Sequence, residues 1–138
     1  MAKYIFMFFG FVLLVIVAIA TVFFVIGRVI AINNLHILIV GIASILTAAV
    51  FVKQRKREPA NSEKLFFALV VTFILSIISI MTNSFVLIKS GETDIVSYIF
   101  SAKFLPYELL QTFLEFAAIY VTFHFFAKNV AKKQHNSD

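Results

Sequence analysis

The chain reads as four long apolar runs broken by short polar stretches. The first, Tyr4 to Gly27, carries no charge. A helix needs roughly 20 such residues to span a bilayer. Val and Ile are abundant in it, but a lone strand in lipid leaves its backbone groups unsatisfied, so helix is predicted. The second run, Leu35 to Val52, follows Asn33-Asn34, which reads as a turn and cap. The third is Leu65 to Ile88, and the fourth extends from Leu105-Pro106 to about Ala127. The pattern predicts an all-α, polytopic four-transmembrane-helix bundle. It forms one domain over residues 1–127, with helices at about 4–27, 35–52, 65–88 and 105–127. The polar tail, 128–138, is expected to fray. Between the third and fourth runs, Ile95 to Ala102 is apolar but too short to span. It reads as an interfacial helix anchored by Tyr98 and Phe100.

Composition supports a lipid solvent. Of 138 residues, 62% are hydrophobic and 14% charged, against about 45–50% and about 25% in soluble domains. Lys3 and the triplet Ala18-Ile19-Ala20 resemble parts of a signal peptide. The apolar run continues through Val22 to Ile26, however, beyond the 7–15 residues of a signal core, so the first helix is expected to be retained. The chain has no cysteine, which excludes disulfides, thiolate metal sites and thiol nucleophiles.

The net charge of +5 does not point to nucleic acid, because the basic residues sit at the ends of apolar runs. Arg28 closes the first run. Nine of the twelve Lys and Arg fall on the side of the two termini: Lys3, Lys53, Arg55, Lys56, Arg57, Lys64, Lys128, Lys132 and Lys133. Arg28, Lys89 and Lys103 fall on the other. Loops rich in Lys and Arg stay in the cytoplasm, so both termini and the basic loop with Lys53, Arg55, Lys56 and Arg57 are expected inside. Glu92 and Asp94 fall outside, with Glu108 close by, and count little in that rule. The stretch from Lys53 to Lys64 is expected as a loop, since Pro59 turns Glu58 away from helical geometry. Its basic cluster serves topology and faces anionic lipid headgroups.

That loop also carries a resemblance. Ala48 to Lys64 resembles the second helix and cytoplasmic loop of a family of small bacterial inner-membrane proteins. These have about four predicted helices and an Arg-x-Pro-x-x-x-Glu loop signature, matched here by Arg57, Pro59 and Glu63. The resemblance implies a bacterial inner-membrane location and four helices, and supplies no mechanism. The family usually has Thr or Ser after the proline, which with the Glu would form a capping box. This chain has Ala60 there, so the cap is expected to pass to Asn61 or Ser62.

Polar residues inside the runs carry what chemistry there is. At 100° per residue, Thr72, Ser76, Ser79 and Asn83 fall within about 60° on the third helix. Glu108, Gln111, Thr112, Glu115 and Thr122 fall within about 100° on the fourth. The two helices are consecutive and antiparallel, so the stripes are expected to meet. Matched depth sets Glu115 near Ser76 and Ser79, Gln111 near Ser79 and Asn83, and Glu108 near Asn83. A carboxylate in mid-membrane costs roughly 2.5–3.5 kcal/mol, which the many Leu, Ile, Phe and Val of this run offset. Two roles fit the stripe. The preferred one is a hydrogen-bonded seam that fixes helix pairing; the other is a proton or cation site.

Other chemistry finds no footing. His124 lies about 180° around the fourth helix from Glu115, so it reads as an interfacial histidine. His36 and His135 are isolated. No metal-ligand spacing, glycine-rich phosphate loop or Ser-His-Asp arrangement is present. Gly41, Ser44 and Ala48 share a face of the second helix and read as intramolecular packing. The eighteen phenylalanines read as lipid-facing bulk and packing.

The expectation is therefore a non-enzymatic inner-membrane protein without cofactor, acting in the bilayer through a second copy or a membrane-protein partner. The alternatives are a small oligomeric proton- or cation-coupled transporter or channel centred on Glu115, and an immunity-type protein against a pore-forming toxin.

Overall fold

A computed structural model describes residues 1–26, 35–91, 94–101 and 104–135. Its helices are α1 (Ala2–Ile26), α2 (Leu35–Arg55), α3 (Asn61–Lys89), α4 (Ile95–Ile99) and α5 (Phe104–His135). No strand occurs among the described residues. Every long helix is long and apolar enough to cross a membrane. Gly27, Arg28, Asn33, Asn34, Glu92, Ala102 and Lys103, which figured in the turn and topology expectations, lie outside the described residues.

Three boundaries differ from the sequence reading. The polar loop is shorter than Lys53–Lys64, because α2 runs on to Arg55 and α3 starts at Asn61. Lys56 ends α2 with a left-handed φ of 52°, the conformation that commonly terminates helices. The α3 cap does not pass to Asn61 or Ser62. Ala60 is the N-cap, with extended backbone. Lacking a side-chain oxygen, it supplies only half of a capping box, in which the Glu63 carboxylate accepts from Ala60 N–H at 2.8 Å. The helix does not stop at Ala127: α5 continues through the described part of the tail to His135. Val130 and Ala131 keep the inward phase of Ala127 and pack against the core.

The same turn explains the Arg-x-Pro-x-x-x-Glu spacing. Arg57 donates from both terminal nitrogens to the two oxygens of Glu63, each at 2.8 Å. Its guanidinium also lies over the Phe51 ring. Pro59, buried, sets the bend between them. The bidentate bond to Glu63 raises the Arg57 pKa above its ordinary value. On the opposite side, Asp94 caps the short α4 by accepting from Ser97 N–H. Its hydrogen bonds to Ser97 hold its carboxyl below the usual range.

Packing follows the order α1, α2, α5, α3, with α3 returning to touch α1 sparsely. Ring pairs fix the directions. Tyr4 against Phe51 sets α1 antiparallel to α2 together with Lys3 bonded to Gln54. Phe51 against Phe123 at one level and His36 against Glu115 at another set α2 parallel to α5, and Gly41 lies beneath Thr122. The small face of α2 is thus used within the chain, as expected: Ser44 and Ala48 are fully buried. The hydroxyls of Ser44 and Thr47 donate to Val40 and Ala43 carbonyls of their own helix, so burying them leaves nothing unpaired.

The core sits at the end that carries the termini and the 56–60 turn, called here the terminal end. One phenylalanine from each long helix meets there: Phe8, Phe51, Phe67 and Phe123, all fully buried. Phe67 and Phe123 stack with centroids 4.5 Å apart. Phe8 meets Phe67 edge-on, and Phe51 meets Phe123 the same way. Toward the far end the packing loosens. Past Val15, α1 buries no residue, and Phe24, Val25 and Ile26 are largely exposed.

Candidate functional site

The inward line of α5 changes character along its length. Glu108, Glu115, Ile119, Phe123 and Ala127 are all buried and repeat at helical spacing. The last three fill the aromatic core. The first two place carboxyls on the same line in the looser half.

Glu115 does not take its partners from Ser76 and Ser79. Gln111, one turn earlier on α5, donates to Glu115 Oε1 at 3.3 Å. The same oxygen lies 3.7 Å from His36 Nε2 at the start of α2. That separation is too long for a hydrogen bond and short enough for an ion pair once the imidazole is protonated. The His36 ring keeps one edge open, its side chain being 38% exposed, while Nε2 is covered and has no hydrogen-bond partner. The histidine expected to stand isolated is therefore the residue that faces the buried carboxyl. The physical reason is that α2 and α5 run parallel and pack closely. The start of α2 then falls level with the middle of α5, and His36 shares the inward phase of Val40 and Thr47.

The seam between α3 and α5 exists with different members. Ser76 Oγ bonds Thr112 Oγ1 at 3.1 Å, the contact that had been expected of Glu115. Asn83 donates to Ser79 within α3 at 3.5 Å, rather than across to Gln111 or Glu108. Ser76, Ser79 and Asn83 are half-buried, as the phase of their stripe requires, and Thr72 is buried with its hydroxyl unpartnered.

A second polar cluster lies at the terminal end, beyond the aromatic core. Lys64, which the sequence places in the basic loop, is 2% exposed. Its ammonium donates to Glu58 Oε1 at 2.6 Å and contacts His124 Nδ1 at 3.3 Å. His124 stacks on Tyr120 and stays away from Glu115, as its phase predicts. Lys64 was legible in one respect: it precedes Ala68 by four residues and Thr72 by eight, so it begins the inward stripe of α3. The exposed Lys53, Arg55, Lys56 and Arg57 remain on the surface of this end.

The far-end group holds a carboxyl, an imidazole and an amide around one oxygen. That set can accept, share and release a proton. Among the described residues no group of three His, Cys, Asp or Glu is arranged to hold a metal ion. The chain matches no protein-family model, no curated protein and no solved structure, so its role is read from this geometry.

Proposed function

We propose that the chain is a multi-pass protein of a bacterial inner membrane that takes up and releases a proton, or a small cation in its place, at the His36–Glu115 pair. It makes and breaks no covalent bond of a substrate and works as a small, oligomeric transporter. The observation that carries this reading is His36 Nε2 facing Glu115 Oε1 in mid-chain burial. A carboxyl with hydroxyl neighbours alone is sufficiently explained as a seam, whereas a second titratable group makes it an exchange site. With one proton between them the two groups are neutral as a pair, either as acid and imidazole or as carboxylate and imidazolium. Apolar surroundings favour those forms over a net charge.

The orientation belongs to the same reading. With nine basic residues on the terminal side, both ends and the 56–60 turn are cytoplasmic. The His36–Glu115 pair then opens outward and the phenylalanine core closes the inner side. Cysteine introduced at Ser62 should react in intact cells only with membrane-permeant reagents. Reaction with an impermeant reagent would reverse the orientation.

The activity is tested in proteoliposomes with a trapped pH-sensitive dye. Glu115→Gln keeps shape and hydrogen bonding but cannot release a proton. Proton flux should be lost, with helicity unchanged. Equal flux in the two proteins would overturn the reading. The second reading, a non-catalytic role through a second copy or a membrane partner, is favoured by the uncovered far half of α1. Wild-type liposomes that hold their pH gradient would leave that reading standing.

A further inference from the structure

The cluster at the terminal end has a chemistry of its own. Lys64 Nζ contacts His124 Nδ1 at 3.3 Å and donates to Glu58 Oε1 at 2.6 Å. A lysine ammonium has donors and no acceptor. The contact with His124 is therefore a hydrogen bond only when Nδ1 carries a bare lone pair, which puts the ring proton on Nε2. The trio is then neutral overall: one ammonium, one carboxylate and one uncharged imidazole. It ties three parts of the chain together, namely the 56–60 turn through Glu58, the start of α3 through Lys64, and α5 through His124.

We propose that His124 is a second proton-binding site and acts as a latch on this end of the protein. A proton from water bonds to Nδ1 and consumes the lone pair, so the Lys64–His124 hydrogen bond breaks. Two cations then face each other at the former hydrogen-bond distance, and the partly buried trio carries a net positive charge. Lys64 keeps Glu58, whose side chain is partly exposed, and moves with it away from α5. The latch opens between the start of α3 and α5, while the Arg57–Glu63 clasp keeps the turn itself folded.

The surroundings of His124 leave it as the group that responds. From α3 it faces Lys64, which in turn holds Glu58 of the turn. On α5 itself Tyr120 stacks on its ring, Phe125 meets it edge-on, and Lys128 follows one turn later. On the other side of α5, α2 presents Phe51 against the neighbouring Phe123. The consequence reaches the core. Phe123 adjoins His124 in sequence, and Phe67 follows Lys64 by three residues. Parting Lys64 from His124 therefore pulls on the Phe67–Phe123 stack. This inference stands on the terminal-end geometry and does not require that His36 and Glu115 carry protons.

The test uses the full chain in lipid nanodiscs. With no native cysteine, Ser62→Cys and Lys128→Cys, both at exposed positions, accept spin labels without background. Their separation is measured at pH 8 and pH 5, which bracket the titration of an ordinary imidazole. The expected result is a shift to longer and broader distances at the lower pH. His124→Asn can still accept from Lys64 through its carbonyl but does not titrate there. It should hold the short distance at both pH values. An unchanged distance in the native pair, or an equal shift in His124→Asn, would overturn the latch. Nitrogen NMR of the native chain gives a test that needs no variant. At pH 8 the His124 signal should show Nδ1 bare, and an Nδ1–H tautomer would refute the proposal.

Discussion

The two ends of the helical assembly are built on different terms. At the terminal end, Phe8, Phe51, Phe67 and Phe123 interlock and the polar groups around them are paired: Arg57 with Glu63, and Lys64 with Glu58 and His124. At the far end α1 gives no buried residue past Val15, and His36 Nε2 lies covered without a partner. The same α5 stripe serves both, with Phe123 in one half and Glu115 in the other. Cohesion is therefore concentrated at the terminal end, and the unpartnered imidazole nitrogen lies where the packing gives way. Functional groups are drawn from the less stable parts of proteins because they have to move or exchange.

The largest effect is expected from the core. Phe123→Ala removes a ring shared by Phe51 and Phe67 and should cost about 3–5 kcal/mol. Phe113→Ala, on the exposed side of α5, should stay within about 0.5 kcal/mol. Reversible denaturation in mixed micelles measures both, and similar losses would erase the distinction between the ends. A smaller effect of opposite sign is expected at the turn. Lys56 holds a left-handed φ that glycine adopts without strain. Lys56→Gly should raise stability by about 0.5–1 kcal/mol in the same measurement. A loss instead would mean that the Lys56 side chain contributes more than its backbone costs.

The existence of four long helices is legible because three apolar runs exclude charge over a spanning length and the fourth holds enough Leu, Ile, Phe and Val to offset its two carboxyls. The inward faces were legible too: the stripe of Thr72, Ser76, Ser79 and Asn83 points as its spacing demands. What phase cannot give is which neighbour a face meets. Adjacency of α3 and α5 in the chain matches Glu115 to α3, yet its oxygen faces His36 on α2. Thr112, one residue past Gln111, took the contact with Ser76 instead. Lys64 reads as loop in the sequence because charge usually marks an exposed site. Only a carboxylate and an imidazole brought from two other segments make its burial tolerable. The α3 cap was misplaced for a local reason: Glu63 alone, bonded to Ala60 N–H and held by Arg57, suffices without a hydroxyl at the cap.

The parallel pairing of α2 with α5 also has a consequence for biogenesis. The neighbour that α2 packs against most is α5, made after α1 and α3. Until α5 emerges, Gly41 lacks Thr122, and Phe51 and Phe67 lack the ring that lies between them. α2 and α3 do not pack on each other, so the earlier helices cannot form the finished core among themselves. Completion of the core thus waits for α5. A nascent protein stalled before Phe123 is an open set of helices, presenting its small-residue face to whatever surrounds it.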